Sequence, residues 1–487
     1  MLTKYSKYAD IAELRVDCLK PDERFLIRNF PQLADIPVIL TIRRDIDGGY
    51  FNSGEGARIN LMAKGLAFAD ADRRRNYAYV DIEEDLNVPN LEEAARTFGT
   101  RIIRSYHDRK NTGIDLSAKI CSMQRSGDEI VKIAVNVNST ADVINLLEAG
   151  KGIAKQDKIL IAMGHYGVYS RILSEQFGSY LCYSSILEEP DAIPAAPGQI
   201  DIRELVNLYN FRNIKKETKI FGIVGNPLTA TSSPFFFNTI FNMEGINAVY
   251  VPFPSDSLDD FFKLAEELNV SGLTITVPYK EKIISMLNEK SLEVEAIGVC
   301  NSIKRSQNGW YGINTDVQGF SGTLLEFLNR QNLKRMRATI IGAGGAAKSA
   351  AFELHRLGAK ALILNRTEHK ARSIAVPYEF AWNSLDKHGM EMMNKYRDII
   401  IQASSAGMTG SDCEDPAPMY NFHGKEQVMD IVSNPKITHF LKRASDAGCK
   451  IINGYDMLIR QAQYQYLHFI GREFPRHLLS RVHLEKE

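Results

Sequence analysis

The chain has 487 residues, more than one hydrophobic core normally holds, so two or three domains are expected. Hydrophobic residues make up 44% of the chain and charged residues 24%, a balance typical of globular rather than disordered proteins. Because the formal net charge is zero, nucleic-acid binding is not expected. Because the longest apolar runs are strand-sized, a membrane-spanning helix is not expected either.

The start of the chain and its cysteines indicate the cellular compartment in which the protein is expected. The first ten residues, MLTKYSKYAD, contain no apolar core of the kind found in signal peptides. The six cysteines are scattered and form no CxxC pair, so reduced thiols are expected rather than a disulfide or a metal site. We therefore expect a cytoplasmic protein that holds no metal.

Up to about residue 200, short β-rich runs alternate with helical stretches. The strand candidates are residues 11–17, 37–43, 77–83, 101–108, 130–136, 158–164 and 180–186. A helix is predicted from Thr140 onward, after the capping signal of Ser139. Strand–helix alternation predicts a parallel sheet. Most of the runs end on a polar residue, and in a (β/α)8 barrel the carboxyl ends of the strands form the active-site face.

The candidate strands number seven, whereas a (β/α)8 barrel has eight. The chain enters directly at what resembles a second strand, which would leave a barrel without its first strand and helix. Either the start is incomplete or another segment fills the gap. We expect the true start of the protein to lie upstream.

Lys132 interrupts the apolar run EIVKIAV. Strand alternation places it on the face of Ile130 and Ala134, which in a barrel is the interior. Desolvation there would favour a neutral amine that can attack a ketone. The pattern equally allows an edge strand with the ammonium group in water. His107, near the end of run 101–108, is a candidate base or a structural hydrogen-bonding residue.

Motifs around these two residues occur in a specific order. They are ELRVD (13–17), TIRRDIDGG (41–49), DIE (81–83), SYHD (105–108), KIA (132–134), MGHYGVYSR (163–171) and APGQ (196–199). Residues 1–205 therefore resemble the type I 3-dehydroquinate dehydratases.

This resemblance implies a Schiff-base mechanism. Lys132 would form an imine with the C3 ketone of 3-dehydroquinate, and His107 would remove a proton from C2 and deliver one to the water leaving C1. Asp47 stands where the family has a glutamate and would be the third catalytic residue. The residues implied to bind the substrate are Glu13, Arg15, Arg43, Arg171 and Gln199.

Residues 187–217 contain the Pro-rich stretch DAIPAAPGQI and the polar stretch NIKKETK, which are typical of a junction. A second α/β unit starts at IFGIVGNP (220–227). We place the domain boundaries at 1–205 for the barrel, 206–217 for a linker, 218–320 for a substrate domain completed by 455–487, and 321–454 for a dinucleotide-binding Rossmann domain.

Gly342, Gly344 and Ala347 form a G-x-G-x-x-A turn between a strand and an Ala-rich helix. Such a turn lets the backbone approach a pyrophosphate at the positive end of the helix. The next strand ends in Asn365, Arg366 and Thr367. An acidic residue there would bind a ribose hydroxyl, whereas a guanidinium suits a 2′-phosphate, so NADP is favoured over NAD. The alternative is a tight glycine turn in a domain that binds no nucleotide.

Lys280 follows the strand of GLTITVPYKEK (272–282), and Asp316 lies in GINTDVQGF (312–320). Reduction of a ketone needs a proton donor at the carbonyl oxygen, which a lysine paired with a carboxylate can supply. Spacing alone leaves open a solvated lysine and a carboxylate in a turn.

Further motifs connect these residues. They are GNPLTATSSPFFFN (225–238), TVPYK (276–280), VCNSI (299–303), GINTD (312–316), GAGGAA (342–347), NRT (365–367), ASSAGM (403–408) and NGYDMLIRQA (453–462). Residues 218–487 therefore resemble the shikimate dehydrogenases, with Thr274, Ser433 and Tyr455 as departures from the usual pattern.

The second resemblance implies that Lys280 and Asp316 are the catalytic pair. The residues implied to bind the substrate are Thr231, Ser233, Thr276, Asn301 and Gln461. Those implied to bind NADP are Gly342, Ala343, Gly344, Gly345, Ala346, Asn365, Arg366, Thr367 and Met408.

Together, the two resemblances imply consecutive steps of the shikimate pathway on small-molecule substrates. Two alternatives stay open. The barrel could be a catalytically dead quinate-binding sensor or scaffold fused to an active dehydrogenase, which the missing strand and Asp47 favour and the retention of Lys132 and His107 disfavours. The dehydrogenase could also prefer quinate with NAD, which Arg366 disfavours.

Overall fold

The structure is a computed structural model that describes residues 2–67, 70–110, 113–153, 156–187, 196–228 and 231–482. Part of the predicted junction, residues 188–195, lies outside the described residues. By internal contacts the chain forms two compact units, one with the residues up to Ile220 together with Asn238–Val270, the other with Phe221–Phe237 and the residues from Ser271 onward. No helix within the described ranges is long and apolar enough to cross a membrane.

The first sheet is parallel throughout and follows the chain in the order β1-β2-β3-β4-β5-β6. Its strands are β1 (Ala12–Arg15), β2 (Val38–Thr41), β3 (Tyr79–Glu83), β4 (Arg101–Asp108), β5 (Ile130–Asn136) and β6 (Lys158–Met163). The accompanying helices are α1 (Leu2–Tyr5), α2 (Phe30–Leu33), α3 (Glu55–Leu66), α4 (Pro89–Thr97), α5 (Leu116–Met123), α6 (Thr140–Lys151) and α7 (Tyr169–Ile172). The barrel-type α/β fold expected for this half is confirmed.

The alternation predicted for β5 is confirmed. Ile130 and Ala134 belong to an interior apolar cluster with residues of β2, β4 and β6. Lys132 lies between them on the same face and is buried. Helix α6 then begins as the sequence predicts, because Ser139 caps it through a reciprocal hydrogen-bond pair with Asp142.

The strand predicted at residues 180–186 is wrong. This segment makes one isolated bridge, between Ser185 and Asp201, and its Tyr180 N–H donates to the carbonyl of Lys158. Among the described strands, β1 pairs with β2 and β6 with β5, so the sheet is open along β1. A strand needs a neighbour to pair with, and this segment and β1 both line a cavity of about 1030 Å³.

The second sheet has the order β10-β12-β11-β9-β7-β8, with β11 antiparallel to β9 and to β12. Its strands are β7 (Lys219–Gly225), β8 (Ala248–Pro254), β9 (Val270–Ile275), β10 (Glu289–Lys290), β11 (Ser302–Ser306) and β12 (Gly309–Ile313). The helices in this part of the chain are α8 (Ser233–Met243), α9 (Leu258–Glu267) and α10 (Leu292–Ile297).

The third sheet is parallel, with the order β15-β14-β13-β16-β17-β18. Its strands are β13 (Arg337–Ile341), β14 (Lys360–Asn365), β15 (Ala381–Ser384), β16 (Ile399–Gln402), β17 (Gln427–Asp430) and β18 (Lys450–Ile452). The remaining helices are α11 (Thr315–Leu328), α12 (Gly345–Arg356), α13 (Glu368–Ala375), α14 (Lys387–Met393), α15 (His439–Asp446) and α16 (Tyr455–Ile470). The predicted Rossmann topology is confirmed, and its first strand leads through a glycine turn into α12.

Candidate active sites

All eight residues that the sequence predicts for the first site line one cavity of about 80 Å³. They are Glu13, Arg15, Arg43, Asp47, His107, Lys132, Arg171 and Gln199. Glu13, Arg15, His107 and Lys132 lie on parallel strands and Arg43 shortly follows β2, whereas Asp47, Arg171 and Gln199 come from segments outside the strands. The register of β4 and β5 sets Ser105 opposite Lys132 and His107 opposite Ala134.

Lys132 is enclosed by two groups that favour its charged form. Its Nζ lies 2.9 Å from Oδ2 of Asp81 and 4.2 Å from the centre of the Tyr183 ring. A carboxylate and the face of an aromatic ring both stabilise an ammonium ion. That desolvation leaves this lysine uncharged stays a prediction, and the carboxylate and the ring are the two contacts that act against it.

Asp81 connects the cations of the site, and no role was predicted for it. Its carboxylate also accepts hydrogen bonds from Nη2 of Arg43 at 2.8 Å and from the hydroxyl of Ser105 at 2.5 Å. Burial favours the neutral acid, but the charges of Arg43, Lys132 and their surroundings outweigh it and hold the pKa of Asp81 well below its ordinary value. A signal was present in the sequence, because Asp81 belongs to the polar end of strand YAYVDIE.

His107 is held in its neutral form. Burial, followed by the positive charges of Arg43 and Lys132, lowers the pKa of the imidazole well below 6.5, and Asp81 opposes this weakly. Its Nδ1 is buried and has no hydrogen-bond partner among the described residues. An unprotonated ring near an amine is suited to accept a proton.

Arg171 provides an unused positive charge. Its Nη atoms donate to the carbonyls of Tyr183 and Pro197, at 3.4 and 3.1 Å, while its buried Nε has no partner within the described part of the chain. Burial lowers the pKa of this arginine. A buried guanidinium without a carboxylate is costly unless an anion binds to it, so Arg171 favours an anionic ligand.

Three other predicted residues already have partners. The guanidinium of Arg15 pairs with both oxygens of Asp17, at 2.9 and 2.7 Å. Asp47 lines the cavity, but it accepts a hydrogen bond from Nε of Arg44 at 2.6 Å, and Glu13 accepts one from Thr41 at 2.8 Å. These contacts fix the wall of the cavity before any ligand binds.

The second predicted catalytic pair is formed in the structure. Nζ of Lys280, in the loop after β9, lies 2.7 Å from Oδ2 of Asp316, in the first turn of α11. Asn314 caps that turn by accepting the N–H of Asp316 at 3.1 Å. Lys280 and Asp316 are thus 36 residues apart in the sequence but form one ion pair.

Asn301, predicted to bind substrate, is fully buried, and its amide is already used. Its Nδ2 donates to Oδ1 of Asp316 at 2.8 Å, and its Oδ1 accepts the N–H of Thr315 at 2.8 Å. In this geometry Asn301 orients the carboxylate of Asp316, leaving its other oxygen for Lys280.

The remaining predicted substrate residues come from three segments. Thr231 accepts the N–H of Ser233 at 3.3 Å just before α8, and Thr276 follows β9. Gln461 lies on α16, where it packs closely on Gly319, one turn after Asp316 on α11. The hydroxyls of Thr231 and Thr276 and the amide of Gln461 are groups that can bind a polyhydroxylated acid.

The predicted nucleotide site fits a pyrophosphate. Gly342 has φ of +120°, and a Cβ there would lie 2.8 Å from the carbonyl of Ala403, so the turn requires glycine. Around Gly344 there is open space, and helix α12 begins there without a side-chain cap. Gly345 and Ala346 then form the first turn of α12, where uncapped N–H groups can bind phosphate.

The adenosine end of the site lies where β14 ends. Asn365 donates to the carbonyl of Thr367 at 3.0 Å, and Arg366 is exposed without an ion-pair partner among the described residues. Met408 is half exposed in the loop that follows β16. These residues fit a cofactor with a 2′-phosphate, which would supply a hydride when bound.

Comparison with known proteins assigns both halves. Residues 1–216 match the type I 3-dehydroquinase family, residues 223–303 the shikimate dehydrogenase substrate binding domain, and residues 326–439 the shikimate/quinate 5-dehydrogenase family. A bifunctional 3-dehydroquinate dehydratase/shikimate dehydrogenase of Arabidopsis thaliana is 29% identical over 97% of this chain and 80% of that protein.

Two further relatives match the second half. A shikimate dehydrogenase (NADP+) of Caldanaerobacter subterraneus subsp. tengcongensis is 33% identical over 54% of this chain and 95% of that protein. The solved shikimate 5-dehydrogenase of Listeria monocytogenes, in complex with shikimate and NAD, shares the fold at 24% identity and a TM-score of 0.50, over 55% of this chain and 97% of that one. The chain therefore belongs to the family of bifunctional enzymes that join a type I 3-dehydroquinate dehydratase to an NADP-dependent shikimate dehydrogenase.

Proposed function

We propose that this chain dehydrates 3-dehydroquinate to 3-dehydroshikimate in its first half and reduces 3-dehydroshikimate to shikimate with NADPH in its second. The observation that carries the first assignment is one cavity that brings together a buried lysine, a histidine whose Nδ1 is buried and an arginine that has no carboxylate partner among the described residues. The observation that supports the second is the 2.7 Å pair of Lys280 and Asp316.

In the first half, the ammonium of Lys132 must lose a proton before it attacks the C3 ketone, and the neutral imidazole of His107 can accept it. The attack gives a carbinolamine, whose hydroxyl takes that proton back and leaves as water. The product is a positively charged imine, so the charge of Lys132 is conserved and Asp81 keeps its partner.

The imine then serves as the electron sink for elimination. His107 takes a proton from C2, which leaves a neutral enamine, and returns it to the C1 hydroxyl, which departs as a second water. Hydrolysis consumes one water, frees Lys132 and releases 3-dehydroshikimate, so the net change is the loss of one water. Arg171 is the group we assign to the substrate carboxylate, because its Nε has no partner within the described ranges.

The pH dependence of dehydration follows from His107. The base must be unprotonated in the free enzyme, and its pKa lies well below 6.5. As the pH falls from about 8 to about 5, kcat/KM should therefore stay high past the ordinary histidine range and decline only below it. Measuring kcat/KM for dehydration across this range checks the prediction, and an acidic limb centred at 6.5 or above would contradict it.

In the second half, a bound NADPH would supply the hydride. The ammonium of Lys280 donates a proton to the carbonyl oxygen of 3-dehydroshikimate, so that hydride and proton together convert the ketone to an alcohol. Asp316 holds Lys280 in place and is itself held by Asn301.

Replacing Arg366 by alanine should separate the two nicotinamide cofactors. The guanidinium is exposed and free to pair with a 2′-phosphate, which NAD lacks. We expect the KM for NADP to rise about tenfold or more and that for NAD to change little. Lys360→Ala, at the opposite end of β14, is the matched control. Equal effects of Arg366→Ala on both cofactors would remove the 2′-phosphate argument.

A coupled assay tests the proposed function as a whole. The purified chain receives 3-dehydroquinate and NADPH, and 3-dehydroshikimate, shikimate and NADPH are followed together. We expect 3-dehydroshikimate to appear first and shikimate to accumulate as NADPH is consumed. Failure to form any 3-dehydroshikimate would rule out the first half of the proposal, and its accumulation without NADPH consumption would rule out the second.

A further inference from the structure

Tyr183 lies inside the dehydratase cavity although neither the strand pattern nor the motifs assign it a role. It belongs to the segment 180–186, which the structure leaves without regular pairing. Its side chain lines the same cavity as Lys132 and His107. The centre of its ring lies 4.2 Å from the Nζ of Lys132.

The ring and Asp81 enclose the lysine nitrogen. Asp81 contacts Nζ at 2.9 Å and also pairs with Arg43, so its negative charge is shared between two cations. The face of Tyr183 adds a second, uncharged source of attraction for a cation. In the proposed mechanism the nitrogen of Lys132 is positive both as the free ammonium and as the imine, so the ring contacts a cation in both states.

The hydroxyl of Tyr183 is available to a ligand. Its oxygen is buried and has no hydrogen-bond partner among the described residues. Burial raises the pKa of this phenol well above 10, and the carboxylates of Glu13 and Asp81 raise it further, so it remains protonated. A buried donor of this kind is costly unless a ligand completes its hydrogen bond.

We propose that Tyr183 is a further functional residue of the dehydratase site: the face of its ring stabilises the positively charged nitrogen of Lys132, and its hydroxyl donates a hydrogen bond to an oxygen of the bound substrate. The inference rests on the proposed dehydratase function. The two parts of the side chain act at different steps. The ring stabilises the nitrogen of Lys132, and the hydroxyl contributes to substrate binding.

Two substitutions separate these parts. Tyr183→Phe keeps the ring and removes the donor, so the KM for 3-dehydroquinate should rise about fivefold while kcat changes little. Tyr183→Leu removes both, so it should show the same rise in KM. It should also lower by about tenfold the rate at which borohydride and 3-dehydroquinate trap an adduct on Lys132. A rise in KM for Tyr183→Phe is not expected of a residue that acts only in packing, because phenylalanine keeps the ring.

The controls use the same chain. Tyr180→Phe removes a hydroxyl from the same segment, where Tyr180 is partly exposed and paired with Tyr79 at 2.8 Å, and it should leave both constants unchanged. In every variant, thermal unfolding followed by circular dichroism reports whether the first half is folded, and NADP-dependent oxidation of shikimate reports the same for the second half. Two results would overturn the role of Tyr183: a wild-type KM in Tyr183→Phe, or equal trapping rates in the Phe and Leu variants. Dehydration by the wild type would still support the proposed dehydratase function in either case. Absence of dehydration in the wild type would instead overturn the proposed function.

Discussion

Replacing Lys132 by alanine is expected to reduce dehydration of 3-dehydroquinate by roughly ten-thousand-fold or more, because the nucleophile that forms the imine is lost. The substitution should not leave an unpaired charge, since Asp81 keeps its hydrogen bonds from Arg43 and Ser105. NADP-dependent oxidation of shikimate should stay at the wild-type rate. Both activities are measured on one preparation of the variant.

The matched control for this substitution is Lys119→Ala, which removes a partly exposed lysine that pairs with Glu84. It should leave both activities intact. Two outcomes contradict the account: dehydration that survives in Lys132→Ala, and loss of both activities together in that variant. The second outcome would mean that the two sites do not act independently.

Replacing Lys280 by alanine is expected to give the opposite result. Removing the proton donor should lower the rate of 3-dehydroshikimate reduction by roughly a hundredfold to ten-thousand-fold. Asp316 keeps its hydrogen bond from Asn301, so the first turn of α11 should remain in place. Dehydration should proceed at the wild-type rate, which a direct assay of 3-dehydroshikimate formation measures.

Lys282→Ala is the control for the second site, because Lys282 is an exposed lysine two residues further along the chain. We expect no effect on reduction from this change. If Lys280→Ala and Lys282→Ala lowered reduction equally, the pair of Lys280 and Asp316 would have no special role. A loss of dehydration in Lys280→Ala would contradict the separation of the two sites.

The strands of the first half could largely be predicted because their apolar runs are short and bounded by polar residues. The run at 101–108 coincides with β4, and the run at 130–136 coincides with β5. The run at 180–186 is also short and contains apolar residues, but it forms no strand, since pairing depends on a neighbouring strand and not on the run itself. Local sequence carries no information about that neighbour.

The residues of the first site were predictable as a set, whereas their pairings were not. Lys132 and His107 stand out because polar side chains interrupt or end apolar strands. That Asp81 faces Lys132 depends on the register across three strands, and the position of Tyr183 depends on a segment without regular structure. The sequence pattern indicates burial of Lys132 but does not indicate that the carboxylate of Asp81 lies beside it.

In the second half, too, a local motif could be predicted from the sequence, whereas contacts between distant segments could not. The glycine turn before α12 follows from the G-x-G-x-x-A pattern, because Gly342 adopts a backbone conformation that other residues disfavour. The contact between Lys280 and Asp316 joins a loop to a helix, and spacing alone could not indicate it. The fully buried position of Asn301, between Thr315 and Asp316, likewise depends on tertiary packing.

The proposed dehydration depends on a covalent bond between Lys132 and the substrate. Borohydride added to the chain together with 3-dehydroquinate should reduce the imine, and mass spectrometry of the digested protein should locate the adduct on the peptide that contains Lys132. A quinate-binding sensor would bind the compound without forming the adduct. Modification of Lys132 in the presence of both reagents is the result we predict; no adduct, or an adduct on another lysine, would contradict the proposed chemistry of the first half.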